Sequence, residues 1–258
     1  MPSRSAKKTD DADRLAPPLL ECRELKVSFG GIQALQGASL IAEGGAVTGL
    51  IGPNGAGKTT LFNAVTGLHP PDDGLILLDG DDVGRARPHR RARKGVARTF
   101  QRLEVFGSLT VRENVLVAGE IWKRWSKTRD TDLERGTDEL LGLTGLRHLA
   151  HVRVDALPTG PARLVEVARA LATHPRLLLM DEPGSGLNDE ETDALARLLL
   201  DLAQEGLAIL LVEHDVELVM RVCERIYVLD FGRIIAEGTP REIQHNEQVQ
   251  AAYLGTAA

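Results

Sequence analysis

Residues Gly52–Thr60 read GPNGAGKTT, which fits the spacing G-x-x-x-x-G-K-[ST] with Gly52, Gly57, Lys58 and Thr59 at the fixed positions. Pro53, Asn54, Gly55 and Ala56 fill the interval, and Thr60 follows. A triphosphate needs a concave row of backbone N–H donors, and glycines let the main chain come close enough to supply one. Lys58 is placed to reach the β- and γ-phosphates, and the Thr59 hydroxyl to ligate Mg²⁺. Upstream, Ala46–Ile51 (AVTGLI) reads as a buried strand. Downstream, Leu61, Val65 and Leu68 form a helical stripe, so the phosphates would sit on a helix N-terminus. A chance glycine-rich turn would lack both flanks. The segment therefore predicts a nucleoside triphosphate site.

The chain has 258 residues, of which 43% are hydrophobic and 26% charged, as in an ordinary globular protein. A net charge of −6 argues against nonspecific nucleic-acid binding, which needs a basic face, so no nucleic acid is expected among the partners. No apolar run approaches the ~20 residues of a membrane span, and the opening MPSRSAKKTDDADRLAPP lacks the apolar centre of a signal peptide. Cys22 and Cys223 have no metal-ligand spacing and read as reduced core residues. The expected location is cytoplasmic, with any membrane role peripheral.

Residues 1–18 lack periodicity and are expected to be a disordered tail. Leu20–Phe29 and Ile32–Ile41 read as a hairpin broken at Gly30-Gly31. Phe29 is read as an adenine-stacking ring or as a core or hairpin phenylalanine, and the local sequence favours the second. Leu75–Leu78 is a short strand after the turn at His69–Gly74. Arg85–Arg98 is strongly basic; a solvated helix face is preferred over a phosphate or acidic-partner contact. Gly95–Phe100 returns as a strand that delivers Gln101. From Leu103 to Leu157 the pattern turns helical, with a capping box at Thr110–Glu113 and helices over Leu133–Leu141 and Leu143–Leu149. Trp122 and Trp125 lie there in a Lys/Arg-rich stretch without an assigned place.

A helix from Pro161 carries Leu164, Val167, Ala168 and Leu171. Leu177–Met180 is then an unbroken apolar run, as a central parallel strand requires, and it ends in Asp181-Glu182. Asn188 with Glu191 caps another helix, which stops at Gly206. Leu207–Val212 is a second buried strand, ending in Glu213-His214-Asp215. Two short strands over Ile226–Leu229 and Ile234–Glu237 precede a C-terminal helix capped at Thr239. Alternating strands and helices after a P-loop predict a parallel sheet with ligand at the carboxyl ends of its strands. Asp181 suits a Mg²⁺ carboxylate there, and Glu182 suits a group that orients or deprotonates the attacking water. Two such carboxylates can also be no more than a helix cap. His214 can contact the γ-phosphate or be structural.

Taken together, the set resembles the nucleotide-binding subunit of ATP-binding cassette (ABC) transporters, from about Leu20 to Leu254. Phe29 matches the A-loop aromatic, GPNGAGKTT Walker A, Gln101 the Q-loop glutamine, and LPTGP (Leu157–Pro161) the signature. LLLMDE matches Walker B, SGLN (Ser185–Asn188) the D-loop, and His214 the switch histidine. FGGIQAL, ARTFQ, LTVRENVLVA, the GLN after DEP, and AYLG are most similar to branched-chain amino acid importers, in particular the longer of their two ATP-binding subunits. Importers of urea, amides and other small polar solutes share these phrases.

The resemblance implies an α/β fold: a P-loop NTPase core with a mainly parallel sheet, an N-terminal antiparallel β subdomain and an inserted α-helical subdomain. The expected division is 19–102 and 158–238 for the core, 103–157 for the helical subdomain and 239–258 for a C-terminal helix. It implies ATP and Mg²⁺ as cofactors, with Thr59, Gln101 and Asp181 at the metal and Glu182 and His214 at the reacting water. Thr159 and Gly160 of a second ABC ATPase subunit would cover the γ-phosphate. Transmembrane permease subunits and an extracytoplasmic solute-binding protein complete the implied system, on the inner face of the cell membrane. A soluble ABC ATPase acting on ribosomes or DNA would carry two cassettes or a coiled-coil insertion, and neither is present. A binding or regulatory subunit with dispensable hydrolysis is the other alternative. Three positions depart from the family pattern. Pro158 replaces the signature serine, Pro161 its glutamine (a proline expected at the first helical position), and Asn188 the usual D-loop aspartate.

Overall fold

The computed structural model describes residues 18–126 and 132–254; the tail expected over 1–18 lies, apart from Pro18, outside the described residues. The element order is β1 (Leu20–Phe29), β2 (Ile32–Ala42), β3 (Val47–Ile51), α1 (Lys58–Thr66), β4 (Asp73–Leu78), β5 (Asp81–Asp82), α2 (Pro88–Arg93) and β6 (Val96–Arg98). It continues with α3 (Val111–Trp125), α4 (Leu133–Leu143), α5 (Thr159–Leu171), β7 (Leu177–Asp181), α6 (Asp189–Gln204), β8 (Ala208–Val212), α7 (Val216–Val222), β9 (Arg225–Asp230), β10 (Arg233–Gly238), α8 (Pro240–Gln244) and α9 (Glu247–Leu254).

Two sheets form. An antiparallel sheet has the order β2-β1-β4-β5. A six-stranded sheet has the order β10-β9-β3-β8-β7-β6, parallel throughout except for the antiparallel edge strand β10. The apolar runs explain the second sheet. In β7, Leu177 and Leu179 join one buried cluster with Leu61, Phe62 and Val65 of α1 and residues of β1 and β2. Leu178 and Met180 join the opposite cluster with Val167 and Leu171 of α5 and Leu195, Leu199 and Leu202 of α6. Both faces are covered, so successive side chains are all apolar rather than alternating. Each such fully buried leucine contributes about 2 kcal/mol. A third cluster joins Val111 and Val115 of α3 and Leu141 of α4 to Ala162, Val165 and Ala168 of α5.

Several local expectations need correction. Leu68 lies beyond the end of α1 and is 55% exposed, because Gly67 turns left-handed (φ 77°) as the C-cap. Asp73 and Gly74 belong to β4 rather than to the preceding turn. In place of a helix over Leu143–Leu149 there is a turn at Thr144-Gly145 and one 3₁₀ turn at Arg147–Leu149. The single C-terminal helix is two short ones, separated at His245-Asn246.

The basic stretch Arg85–Arg98 is not one solvated face. Arg91 is 1% exposed and donates to four carbonyls: Ala64 (2.6 Å), Val65 (2.7 Å), Gly84 (2.9 Å) and Ala86 (2.9 Å). It thereby satisfies the Val65 carbonyl at the end of α1 and adds a second donor to Ala64, which also accepts from Gly67 N–H. Arg98 is likewise buried. Trp122 and Trp125 pack edge to face on α3 with centroids 6.2 Å apart, and Trp122 also lies against His174. Cys22 and Cys223 are buried free thiols, and burial pushes both up to about 12, so they stay protonated and inert. Among the described residues no helix is long and apolar enough to cross a membrane.

Candidate nucleotide-binding and hydrolysis site

Strand order decides the site. The neighbours β3, β8, β7 and β6 run parallel, so their carboxyl ends share one edge. From that edge leave, in order, the Gly52–Thr60 loop, His214, Asp181-Glu182 and Gln101. Segments far apart in sequence are thus adjacent in space, where ligands of such sheets bind.

The loop is shaped by its glycines. Gly52 has φ 153°, and a Cβ there would overlap the Leu229 carbonyl oxygen. At Gly57 (φ 111°, the N-cap of α1) a Cβ would sit 2.5 Å from the Ala34 carbonyl oxygen. Both positions exclude a side chain on two grounds, backbone conformation and space. Lys58 is 8% exposed, and its ammonium donates to the Gly52 (2.6 Å) and Pro53 (3.0 Å) carbonyls. Those oxygens occupy the positions at the ammonium that phosphate oxygens could take. Burial lowers the Lys58 ammonium from its usual value, with the charges of Glu182 and Asp181 opposing. That opposition registers the proximity of the loop to the β7 end. Ala56 is buried, while Asn54, Gly55 and Thr59 are exposed and Pro53 and Thr60 half-buried, so the loop presents an open polar face.

At the end of β7, Asp181 is 3% exposed. Its backbone N–H donates to Thr99 Oγ1 (3.2 Å), and its Oδ2 accepts from the Arg98 guanidinium (3.0 Å). Burial raises its carboxyl and lowers the guanidinium, while the contact between them opposes both shifts. Glu182 follows with φ 52°, a strained value for a residue with a side chain. Two backbone bonds hold it there: its N–H to the Val212 carbonyl (2.8 Å), and its carbonyl accepting from Ser185 N–H (3.2 Å). From there its carboxylate meets two partners. His214 Nε2 lies 2.7 Å from Oε1, and Gln101 Nε2 lies 3.3 Å from each oxygen. A carboxylate held between an imidazole and an amide on an accessible edge can orient and deprotonate a water.

The other expected residues make their contacts outside this group. Phe29 ends β1, is 46% exposed, and its ring contact is with His69 (centroids 4.6 Å). It is therefore a hairpin residue and not a core one. Thr159 and Gly160 begin α5, and they pack against the D-loop segment of the same chain. A Cβ on Gly160 would meet Glu191 Oε2 (2.8 Å) and Leu187 (3.0 Å), and one on Gly186 would meet Thr159 (3.1 Å). Among the described residues, no hydrogen bond or ion pair joins them to Lys58, Asp181 or Glu182. Pro158 is the N-cap of α5 without a side-chain cap, which puts Pro161 third in the helix rather than first. Its missing N–H is still one of the orphans of the first turn. Asn188 acts locally, capping α6 and accepting from Glu191 N–H (2.9 Å) in a reciprocal capping box.

Four side chains near the site have no role assigned from the sequence. Arg98 closes the basic run, although the strand expected over Gly95–Phe100 separates it from the helical part. Glu213 is 6% exposed and accepts from the N–H groups of Gly184 (2.6 Å) and His214 (3.0 Å), tying the β8 end to the loop after Glu182. Arg163 of α5 donates to the carbonyls of Phe100 (2.6 Å) and Gln101, and pairs with Glu166 (3.2 Å). Glu166 in turn accepts from Glu104 N–H (2.7 Å). No local signal marks these polar contacts, because their partners belong largely to other segments.

A phosphate-shaped loop, a strained carboxylate beside it and a mainly parallel sheet define a nucleotide-hydrolysing P-loop cassette. The chain belongs to the ABC transporter ATP-binding family: the family model "ABC transporter" matches residues 35–185. A second, "Branched-chain amino acid ATP-binding cassette transporter", matches residues 233–258. Among similar proteins, the high-affinity branched-chain amino acid transport ATP-binding protein BraF of Pseudomonas aeruginosa is 40% identical, over 94% of this chain and 100% of its own. The lipopolysaccharide export system ATP-binding protein LptB of Haemophilus influenzae is 36% identical, over 92% and 97%. A crystal structure of a nucleotide-free ATP-binding cassette from an ABC transporter superposes with TM-score 0.81 at 30% identity, over 91% of this chain and 98% of that one. A dimeric structure of a bacterial ABC transporter cassette gives 0.77 at 25% identity, over 86% and 99%. The protein is thus an ATP-binding ABC transporter ATPase, of a family whose cassettes dimerise and work with transmembrane permeases.

Proposed function

We propose that this chain powers an importer of branched-chain amino acids, as a peripheral subunit on the cytoplasmic face of the membrane. The observation that carries this reading is the match of residues 233–258 to the branched-chain amino acid cassette model, joined to the likeness to BraF over its full length.

The loop Gly52–Thr60 holds the phosphates, with Lys58 exchanging its two carbonyl partners for phosphate oxygens. Phe29, exposed at the end of β1, stacks on the adenine. A hydroxyl (Thr59), an amide oxygen (Gln101) and one carboxylate (Asp181) are hard oxygen donors, too few to enclose an ion, which suits Mg²⁺ shared with phosphate and water. When bound, Mg²⁺ would neutralise the charge that develops on the phosphates. Glu182 orients and deprotonates the water, and His214 and Gln101, which already touch its carboxylate, hold that geometry. Thr159 and Gly160 have no hydrogen bond to the loop of their own chain, which supports their serving the site of a second cassette, alike or a sibling. Closing two cassettes over ATP and opening them after hydrolysis then moves the permease. A solute-binding protein on the outer side delivers the amino acid.

The test is uptake of labelled leucine, isoleucine and valine in cells lacking the gene, complemented with the intact chain or with Glu182→Gln. Restored uptake by the intact chain alone supports the reading. Unchanged uptake in the deletion removes it. The likeness to LptB favours a second reading, an exporter of a lipid-linked substrate; an envelope defect with normal amino-acid uptake would select it.

A further inference from the structure

Arg98 belongs to the phrase ARTFQ, but that resemblance gives it no role. Its side chain is 6% exposed and reaches three segments at once. One terminal nitrogen donates to Asn63 Oδ1 on α1 (2.6 Å), the other to Asp181 Oδ2 at the end of β7 (3.0 Å). The guanidinium carbon lies 5.2 Å from the Phe62 ring centroid and 5.0 Å from that of Phe100, next to Gln101. Its Nε is buried without a partner. The arginine is therefore held by two hydrogen bonds and two ring faces, a planar fit that a flexible ammonium would not reproduce. The neighbouring Thr99 accepts from the Asp181 backbone N–H, so β6 and the residue after it grip both the main chain and the side chain of this aspartate.

The hold is one-sided. Arg98 takes Oδ2, and no hydrogen bond from the described residues reaches Oδ1. We propose that Arg98 is a positioning residue for Asp181, fixing its carboxylate with Oδ1 free for the metal's coordination shell and tying that orientation to the floor of a surface groove. Ala97, Arg98 and Phe100 line the groove beside Ile121, Trp122 and Trp125. A change in packing at Phe100 thus reaches the metal carboxylate through one guanidinium. The inference rests on the assignment of Asp181 to the metal.

The experiment uses the purified full chain and a fluorescent ADP analogue, with affinity measured in EDTA and across a Mg²⁺ titration. For Arg98→Met, the Mg²⁺ concentration that half-saturates the metal-dependent gain in affinity should rise about tenfold or more, as for other groups that orient a metal ligand. Affinity in EDTA should stay at the wild-type value. Arg98→Lys, which keeps the charge and the fold, should fall between the two. A wild-type Mg²⁺ titration in both variants overturns the inference. So does an equal loss with and without Mg²⁺, which would assign Arg98 to packing of α1 through Asn63. If the wild-type chain itself shows no Mg²⁺ dependence, the assignment of Asp181 fails, and this inference with it.

Discussion

His214 Nε2 stands 2.7 Å from Glu182 Oε1, a contact that joins the ends of the neighbouring strands β8 and β7. With the carboxylate ionised, Nε2 is the donor, so one tautomer of the imidazole is selected. Glu182 is 16% exposed and His214 47%, so the pair sits at the site's surface with the carboxylate as its inner member. Replacing Glu182 by Gln keeps the shape and removes the proposed base. ATPase activity of the assembled complex should fall about 10²–10⁴-fold, while nucleotide binding persists. A phosphate-release assay beside filter binding checks this; retained turnover would remove Glu182 from the reaction.

Pro158 caps α5 without a side-chain hydrogen bond. In Pro158→Ser a hydroxyl and an N–H return at the position that faces the partner's nucleotide in the proposed dimer. The hydroxyl can accept only from Gly160 N–H, because Pro161 at the third position has none. The expected outcome is a higher ATPase rate or tighter apparent ATP affinity in the assembled complex. Steady-state kinetics that match the parent would show that this half-site does not limit turnover.

Arg91 closes the end of α1 with bonds to four carbonyls and is 1% exposed. Arg91→Met fills most of the volume but leaves the Val65, Gly84 and Ala86 carbonyls without that donor, while Ala64 keeps the Gly67 N–H. The loss in unfolding free energy should be at least about 3 kcal/mol, from several buried acceptors at a penalty near 1–3 kcal/mol each. Denaturant unfolding measures it. An exposed neighbour, Arg90→Met, should leave stability near the wild-type value.

Burial raises the Glu213 carboxyl above its ordinary value of 4.5, against the lowering effect of the Gly184, His214 and Asp215 N–H groups. A carboxyl with a raised folded-state value binds its proton more tightly in the folded chain than in the unfolded one. Its contribution to stability is fully present below the unfolded value and is lost as pH rises through the folded value. Wild-type stability should therefore carry a downward component as pH rises from about 4.5, and Glu213→Gln should flatten that slope. Denaturant midpoints across this window test the sign; a steeper fall in the variant would contradict it.

Much of the fold was legible because its signals are local. The strand before the loop, the capping boxes at Thr110, Asn188 and Thr239, and the apolar runs of β7 and β8 each depend on a few consecutive residues. The helix expected over Leu143–Leu149 does not form because Gly145, at φ 72°, ends the preceding helix in a turn that apolar spacing alone does not register. Arg91 and Arg98 stay hidden for a related reason. A basic run looks the same whether its side chains meet water or meet carbonyls and a carboxylate from segments tens of residues away.

By itself the sequence determined that a phosphate loop, two acidic residues after a buried strand, a glutamine and a histidine occur in one chain. Spacing and residue type suffice for that, because glycine, lysine and hydroxyl chemistry at fixed intervals is a property of the chain. Only the tertiary structure decided which of them meet. Parallel pairing of β3, β8, β7 and β6 brings four strand ends to one edge, sets His214 and Gln101 on Glu182, and sets Arg98 on Asp181. Those contacts follow from strand order and from burial on both faces of the sheet, which no local run of residues encodes.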